Sequence, residues 1–177
     1  VSELTKAHKK QSASNAQKSA VKFSGNFIKS SAVALALLSG HSAYAATAGT
    51  EGHASAVAFG PGSNASQDGA VALGKQAIAT GTEGAALGKG AKAQGNLSVA
   101  VGVNAQASAN KAMALGLESK ATQESAVALG FKSKATSFNT VALGTNTDAA
   151  GQRSMAFGNE AKATANDTIA IGASSVA

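Results

Sequence analysis

The chain contains no cysteine, no tryptophan and one proline in 177 residues, and aromatic residues make up 4% of it. Without cysteine there is neither a disulfide framework nor a thiolate metal site. Without aromatic bulk, the 44% apolar fraction consists mostly of Ala, Val and Leu. A compact core buries apolar area at roughly 25 cal/mol per Å², and an Ala-dominated chain of this size buries little per residue, which argues against an ordinary single-core domain. Disorder fits poorly as well, because proline is nearly absent, the net charge is only +6 and the mean hydropathy is +0.03. The 20 glycines lack the third-residue spacing and the accompanying proline of a collagen. What remains is an architecture that uses small residues on a regular grid.

The charge is unevenly placed. Residues 1–45 carry six lysines against Glu3, whereas residues 46–177 carry eight lysines and Arg153 against eight acids, so the basicity belongs to the first 45 residues. That stretch has the anatomy of an export signal: lysines, the apolar run Ala32-Val33-Ala34-Leu35-Ala36-Leu37-Leu38, then Ala43-Tyr44-Ala45 as a small-x-small site. The run is far shorter than the ~20 residues needed to span a bilayer. Cleavage is expected after Ala45, the alternative being a buried amphipathic helix. The start, Val1-Ser2-Glu3-Leu4-Thr5-Lys6, resembles the tail of the extended signal peptides of large Gram-negative autotransporters and adhesins. That resemblance implies further chain before Val1, and the stop inside a repeat at Ala177 implies further chain after it. The expected organisation is an extended signal peptide over 1–45, a lead-in over 46–54 and a repeat domain over 55–177.

The repeat is the strongest signal. Glycines fall at 60, 74, 88, 102, 116, 130, 144, 158 and 172, a period of 14 without an insertion, and each follows a run such as SAVAF, GAVAL, SAVAL or DTIAI. Within each run the residues three and one before the glycine are the larger apolar ones (Val57/Phe59, Val71/Leu73, Met113/Leu115, Ile169/Ile171), and those four and two before are small (Ala56/Ala58, Ala70/Ala72, Thr168/Ala170). Period two marks a strand. Large apolar alternating with small apolar predicts a strand buried on both sides. A second short strand follows, with small residues at positions such as 77/79, 91/93 and 105/107 and an outward column of Asn64, Ile78, Lys92, Gln106, Lys120, Lys134, Asp148 and Lys162. Turn formers such as Gln67-Asp68 and Gly95-Asn96 fill the rest. The corner glycines are expected at φ > 0 or at close backbone approaches.

These features predict an all-β parallel solenoid in which 14 residues make one coil and like strands stack at ~4.8 Å, a rod of roughly 40 Å. By volume, Val and Leu are placed inside the roll, and the small residues on an outward face that another chain covers. This makes Ala72, Ala86, Ala100, Ala114, Ala128, Ala142, Ala156 and Ala170 the expected contacts of a closed symmetric oligomer. The coil at Glu83-Gly84-Ala85-Ala86-Leu87, where Ala85 replaces a large residue, is expected to pack most loosely.

Repeated xAVALG and SVAVG runs on a strict 14-residue period, behind a long signal peptide, resemble the head domain of YadA-like trimeric autotransporter adhesins. The resemblance covers residues 55–177. It implies a left-handed parallel β-roll that forms a homotrimer through its inner strands, and a neck, stalk and outer-membrane anchor beyond this chain. It also implies a surface adhesin of a Gram-negative bacterium that binds host extracellular matrix proteins of the collagen or fibronectin class, touching the membrane only through that anchor.

Other chemistry finds little support. A base with an orienting partner is the minimum for nucleophilic catalysis, and residues 46–177 offer one histidine, His53, best read as a solvated residue of the lead-in. No cofactor and no metal is expected. Gly84-Ala85-Ala86-Leu87-Gly88-Lys89 has one residue too few between its glycines for a phosphate-binding loop, and no Ser or Thr follows the lysine. An ice-binding ladder would need a Thr-rich column, but Ser66, Thr80, Gln94, Ser108, Thr122, Thr136, Ala150 and Thr164 are too mixed. The column Lys92, Gln106, Lys120, Lys134 and Lys162 has two readings. It either deters unwanted strand pairing or forms an array that contacts an extended ligand. Acids at 118, 124 and 160 keep the surface near neutral, so nucleic acid is not an expected partner.

Overall fold

The computed structural model describes residues 50–53 and 55–177. The expected export signal over 1–45, its expected cleavage site and residues 46–49 and 54 of the expected lead-in lie outside them. Every described regular element is a β-strand, and the strands alternate between two parallel sheets of nine. The three-residue strands, from Val57–Phe59 and Val71–Leu73 through Ile169–Ile171, form the long-strand sheet. The two-residue strands, from Thr50–Glu51 and Asn64–Ala65 through Lys162–Ala163, form the short-strand sheet. Register is 14 throughout: Met113 pairs with Val127 and Val99, and Lys120 with Lys134 and Gln106. The predicted coil of strand, glycine corner, strand and looser corner is thus the one observed. Strand stacking also begins earlier than the repeat run suggests, since Thr50–Glu51 already pairs with Asn64–Ala65.

Both corners are turns closed by hydrogen bonds between residues three apart. Ser63 N donates to Gly60 O at 3.1 Å and Ala70 N to Gln67 O at 3.1 Å, and the pattern recurs along the stack. In each turn the third residue has positive φ, as a type II turn requires. These residues form two columns. One runs Gly62, Gln76, Gly90, Asn104, Glu118, Lys132, Asn146, Glu160 and Ser174, and the other Gly69, Glu83, Leu97, Lys111, Ser125, Asn139, Arg153 and Asp167. Only three of the seventeen are glycine, so most bear the roughly 1–2 kcal/mol strain of a side chain in the left-handed region. From the second coil on, the strained residue's N–H is held by the coil before it, as in Glu118 N to Val103 O and Lys132 N to Leu117 O, both 2.9 Å.

The nine corner glycines all have φ between 113° and 136°, and a Cβ on most of them would strike the backbone of the next corner glycine. Both reasons expected for glycine therefore hold together there.

The faces of the long-strand sheet are the reverse of the expectation. Ala72, Ala86, Ala100, Ala114, Ala128, Ala142 and Ala156 are wholly enclosed, and Ala170 is nearly so. The eight alanines assigned to a chain-to-chain contact instead line the interior of a single roll. Val57, Phe59, Leu73, Met113, Leu129, Leu143, Met155, Ile169 and Ile171 point outward and are exposed. The physical reason is circumference. Fourteen residues spent on two short strands and two three-apart turns bring the sheets close together, and the space between them admits methyl groups rather than Leu. Ala65, Ala79, Ala93, Ala107, Ala121, Ala135, Ala149 and Ala163 of the short strands supply the facing methyls.

The substitution at Ala85 accordingly falls on the outer face, where it is half-buried, while Ala86, Ala91 and Ala93 of the same coil stay enclosed. No loosening reaches the interior of that coil.

Hydroxyls are the other interior group, and most of them bond the nearest turn. Ser63, Ser119, Ser133 and Thr147 donate to the carbonyls of Gly60, Gly116, Gly130 and Gly144 at 2.8–3.2 Å. Ser98 Oγ is enclosed and has no partner.

Candidate functional site

Two surfaces run the length of the stack. The first is the outer face of the long-strand sheet, where Val, Leu, Met, Phe and Ile form in-register apolar rows. Val103, Leu117 and Phe131, each just past a corner glycine, extend it sideways and are about two-fifths exposed. Exposed apolar area this continuous is uncommon on a monomer and marks a contact surface.

The second surface is the outer face of the short-strand sheet. Because each two-residue strand turns one residue inward and one outward, the column from Asn64 to Lys162 faces solvent while its alanine partners are buried. A shallow groove of about 310 Å³ opens on this face, lined by Glu118, Lys120, Lys132, Lys134, Asn146, Asp148 and Lys162. Of the candidate ligand-contacting residues, the structure brings Lys120, Lys134 and Lys162 together there. Lys92 and Gln106 lie further along the same column, half-buried and outside the groove lining.

The groove's other wall was not anticipated. Glu118, Lys132 and Asn146 occupy consecutive positions of one positive-φ column, two residues before the strand residue that each accompanies. The signal available was their constant place two residues after a corner glycine, which sets them beside the outward column. Lys132 Nζ lies 3.9 Å from Glu118 Oε2 and 5.0 Å from the centroid of the Phe131 ring.

His53 is more than half exposed, as expected, but it is not alone. Its Nδ1 approaches Ser55 Oγ and Asp68 Oδ1, each at 3.3 Å. The Ser55 hydroxyl donates to Asp68 and accepts from Gly69 N at 2.9 Å. This hydrogen bond first, and the His53 charge second, hold the Asp68 carboxyl below its usual range. The trio has the residue types of a serine nucleophile with its base but not the geometry. A triad places hydroxyl and carboxylate on opposite ring nitrogens, and here both meet Nδ1. The arrangement ties the first coil to the next.

On the second positive-φ column, Arg153 and Asp167 form a forked pair between neighbouring coils, with nitrogen to oxygen distances of 2.5 and 2.6 Å. The Arg153 hydrogen bond lowers the pKa of Asp167. Among the described residues, no group of three or more His, Asp or Glu is placed to hold a metal, and no helix is long and apolar enough to cross a membrane.

The model of the YadA head domain repeat matches residues 54–77, 79–105, 93–119, 121–147 and 149–175, which together span most of the solenoid. The chain belongs to this family. Each matched window is about two coils long, so the match follows the same 14-residue period that the strands show. A search among curated proteins gave no match. The YadA-type head is an adhesin head domain, and its two long surfaces are where contacts with other molecules are to be sought.

Proposed function

We propose that this chain is the head of a cell-surface adhesin of a Gram-negative bacterium, a homotrimer that attaches to host extracellular matrix proteins of the collagen or fibronectin class. Residues 1–45 serve as the export signal in this reading, and 46–177 as the exported part. The observation that carries it is the apolar outer face of the long-strand sheet. A single roll leaves Leu73, Leu129, Leu143 and Ile169 in water, and three copies turned toward one axis would cover them. The family membership supports the same assembly. The trimer contacts then fall on the outward residues three and one before each corner glycine, not on the alanines between them.

Matrix binding in this reading is distributed. Successive coils present similar outer strands, so ligand is held by many weak contacts whose linkage raises avidity by roughly 10² to 10⁴. Deleting residues 103–130 removes two whole coils and preserves register. Binding to immobilised collagen or fibronectin should then fall by degrees, whereas abrupt loss on removing one particular coil would show a discrete site instead. The uniformity of the coils also favours a second reading, in which the head is a rigid spacer or a self-association surface that drives aggregation. A settling assay of cells displaying the head, run beside the matrix-binding assay, separates the two. Settling without matrix binding supports the second.

A further inference from the structure

We propose that the basic groove of the short-strand sheet is a binding site for a linear sulfated polysaccharide lying along the stack. This rests on the reading of the chain as a surface adhesin head and names a ligand class for one of its faces.

Three observations carry the proposal. First, Lys120, Lys134 and Lys162 converge on one groove, and none of them has a carboxylate within 4 Å among the described residues. Lys120 and Lys134 are directly paired across neighbouring strands, an arrangement that costs stability through like-charge repulsion. Asp148 follows Lys134 in the column without coming within ion-pair distance of it. Anionic charge from outside would relieve that repulsion.

Second, the groove offers little to other ligand classes. Its lining consists of charged and polar residues whose apolar surface is that of aliphatic stems, with no aromatic or branched apolar side chain among them, so it lacks the anchor pocket of a protein-docking hot spot. The short strands that line it are hydrogen-bonded on both sides, Lys120–Ala121, Lys134–Ala135 and Asp148–Ala149 to neighbouring strands and Lys162–Ala163, the last strand of the sheet, to Ser175 and Ala177 on its outer side, so a peptide cannot add as a further strand where the groove lies. Single-stranded nucleic acid needs free aromatic faces on which bases stack. No aromatic residue is among those lining the groove, and the Lys132 ammonium sits over the ring of Phe131.

Third, the spacing suits a polymer. Strands stacked at ~4.8 Å put Lys120, Lys134 and Lys162 at intervals of roughly 5 and 10 Å along the rod axis. The groove contains lysine and no arginine. Lysine acts as a compact point charge, while arginine provides a planar fork that pairs bidentately with carboxylate or phosphate. Tetrahedral sulfate esters, which stay ionised across physiological pH, suit such point charges without demanding one orientation.

The test uses the full chain, with heparin as the probe in surface plasmon resonance. Hyaluronan, which carries carboxylates but no sulfate, and single-stranded oligothymidine are the comparators, and circular dichroism is the fold control. Heparin should bind, weakening at least about tenfold from about 50 to about 200 mM salt as counterions are released. The triple variant Lys120→Ser, Lys134→Ser, Lys162→Ser should lose at least about tenfold. Asp148→Lys, which completes the column, should gain severalfold, an outcome that misfolding cannot imitate. Absence of heparin binding, equal binding of hyaluronan or oligothymidine, or failure of Asp148→Lys to strengthen binding would each overturn the proposal. Collagen and fibronectin assayed on the same surface keep the two readings apart. Matrix binding without heparin binding overturns the groove alone, and heparin binding without matrix binding overturns the matrix-protein reading alone.

Discussion

Replacing Gly102 by alanine tests why the corners are glycine, because the fold contains its own control. Gly102 has φ of 131°, and a Cβ there would stand 2.5 Å from the carbonyl oxygen of Gly116 in the next coil. Gly172 has φ of 113°, and a Cβ on it would meet nothing within 4 Å. Gly172→Ala therefore carries the conformational cost alone, on the order of 1–3 kcal/mol for a side chain in sparsely populated backbone space. Gly102→Ala adds a clash with backbone, which cannot rotate away as a side chain can. Relief requires moving Gly116, whose N–H donates to Val101 O at 2.8 Å. Losing one such bond and leaving its partners buried costs about 1–3 kcal/mol more. A total of roughly 2–6 kcal/mol is expected for Gly102→Ala, against roughly 1–3 for Gly172→Ala. In a solenoid the damage splits the stack into two shorter arrays, because each coil is stabilised mainly by its neighbours. Denaturant titration followed by circular dichroism should give a broadened or two-step transition for Gly102→Ala and a simple downward shift for Gly172→Ala. Equal shifts for the two variants would show that the close approach of successive corners contributes nothing, and that glycine is needed there for φ alone.

Other consequences follow from the same geometry. Ala128 is enclosed and Leu129 is two-fifths exposed, so Ala128→Lys should abolish the β signal in circular dichroism by burying an unpaired charge at several kcal/mol. Leu129→Lys should keep that signal and, in light scattering, weaken the proposed trimer toward single chains. Ser98→Ala should raise stability by about 1 kcal/mol, since it removes an enclosed hydroxyl that has no partner, whereas Ser154→Ala, which loses a bond to Ala163 O, should lower the denaturation midpoint. Leu97, with φ of 58° and half its surface in water, should give a gain of about 1 kcal/mol as Leu97→Gly, read from the same midpoint. Asp68 and Asp167 have depressed pKa values, so their contribution is present above the ordinary carboxylate range and is lost as pH falls through their folded values. Both are about three-fifths exposed, and an acid titration of the midpoint should show only a small decline from this source.

The period and the strands were legible because they are written in residue size. Gly at every fourteenth position and alternation in runs such as Ser125-Ala126-Val127-Ala128-Leu129 leave one reading of the secondary structure. The direction of the alternation was not legible from the run. Volume says that one face is large and one small, but which face turns inward depends on how tightly the chain closes, and that is set at the corners. The deciding information lay in the positive-φ columns, where Gln76, Leu97, Glu118 and Lys132 give no sign of a left-handed conformation because stacking, not residue preference, imposes it. Gly62, Gly69 and Gly90 occupy the same columns and were the visible hint. Glu118 and Lys132, missed as groove residues, were hidden for the same reason. The Lys column was readable residue by residue, but its gathering at 120, 134 and 162, with 92 left out, required the neighbouring column.

An interior of methyl groups has a consequence for how this head is held together. Each enclosed alanine contributes little apolar area, so the roll depends heavily on its backbone ladder, in which successive coils hold one another through hydrogen bonds near 2.9 Å at strands and corners alike. Most of the residues that bury the most area per side chain, Leu, Met, Phe and Ile, lie on the outer face of the long-strand sheet, with Ile78 on the opposite sheet and Leu97 and Phe138 at the turns. At roughly 25 cal/mol per Å², their contribution is realised only when that face is covered. Folding of the roll and association of rolls thus draw on different parts of each five-residue run. The small residues fit one chain around itself, and in the proposed trimer the large ones fit it to its neighbours. The outward column of the short-strand sheet takes part in neither, so it can exchange Lys for Gln, Asp or Ile between coils without disturbing the interior. If the proposed groove binds ligand, that freedom makes this the face on which ligand preference can vary from coil to coil.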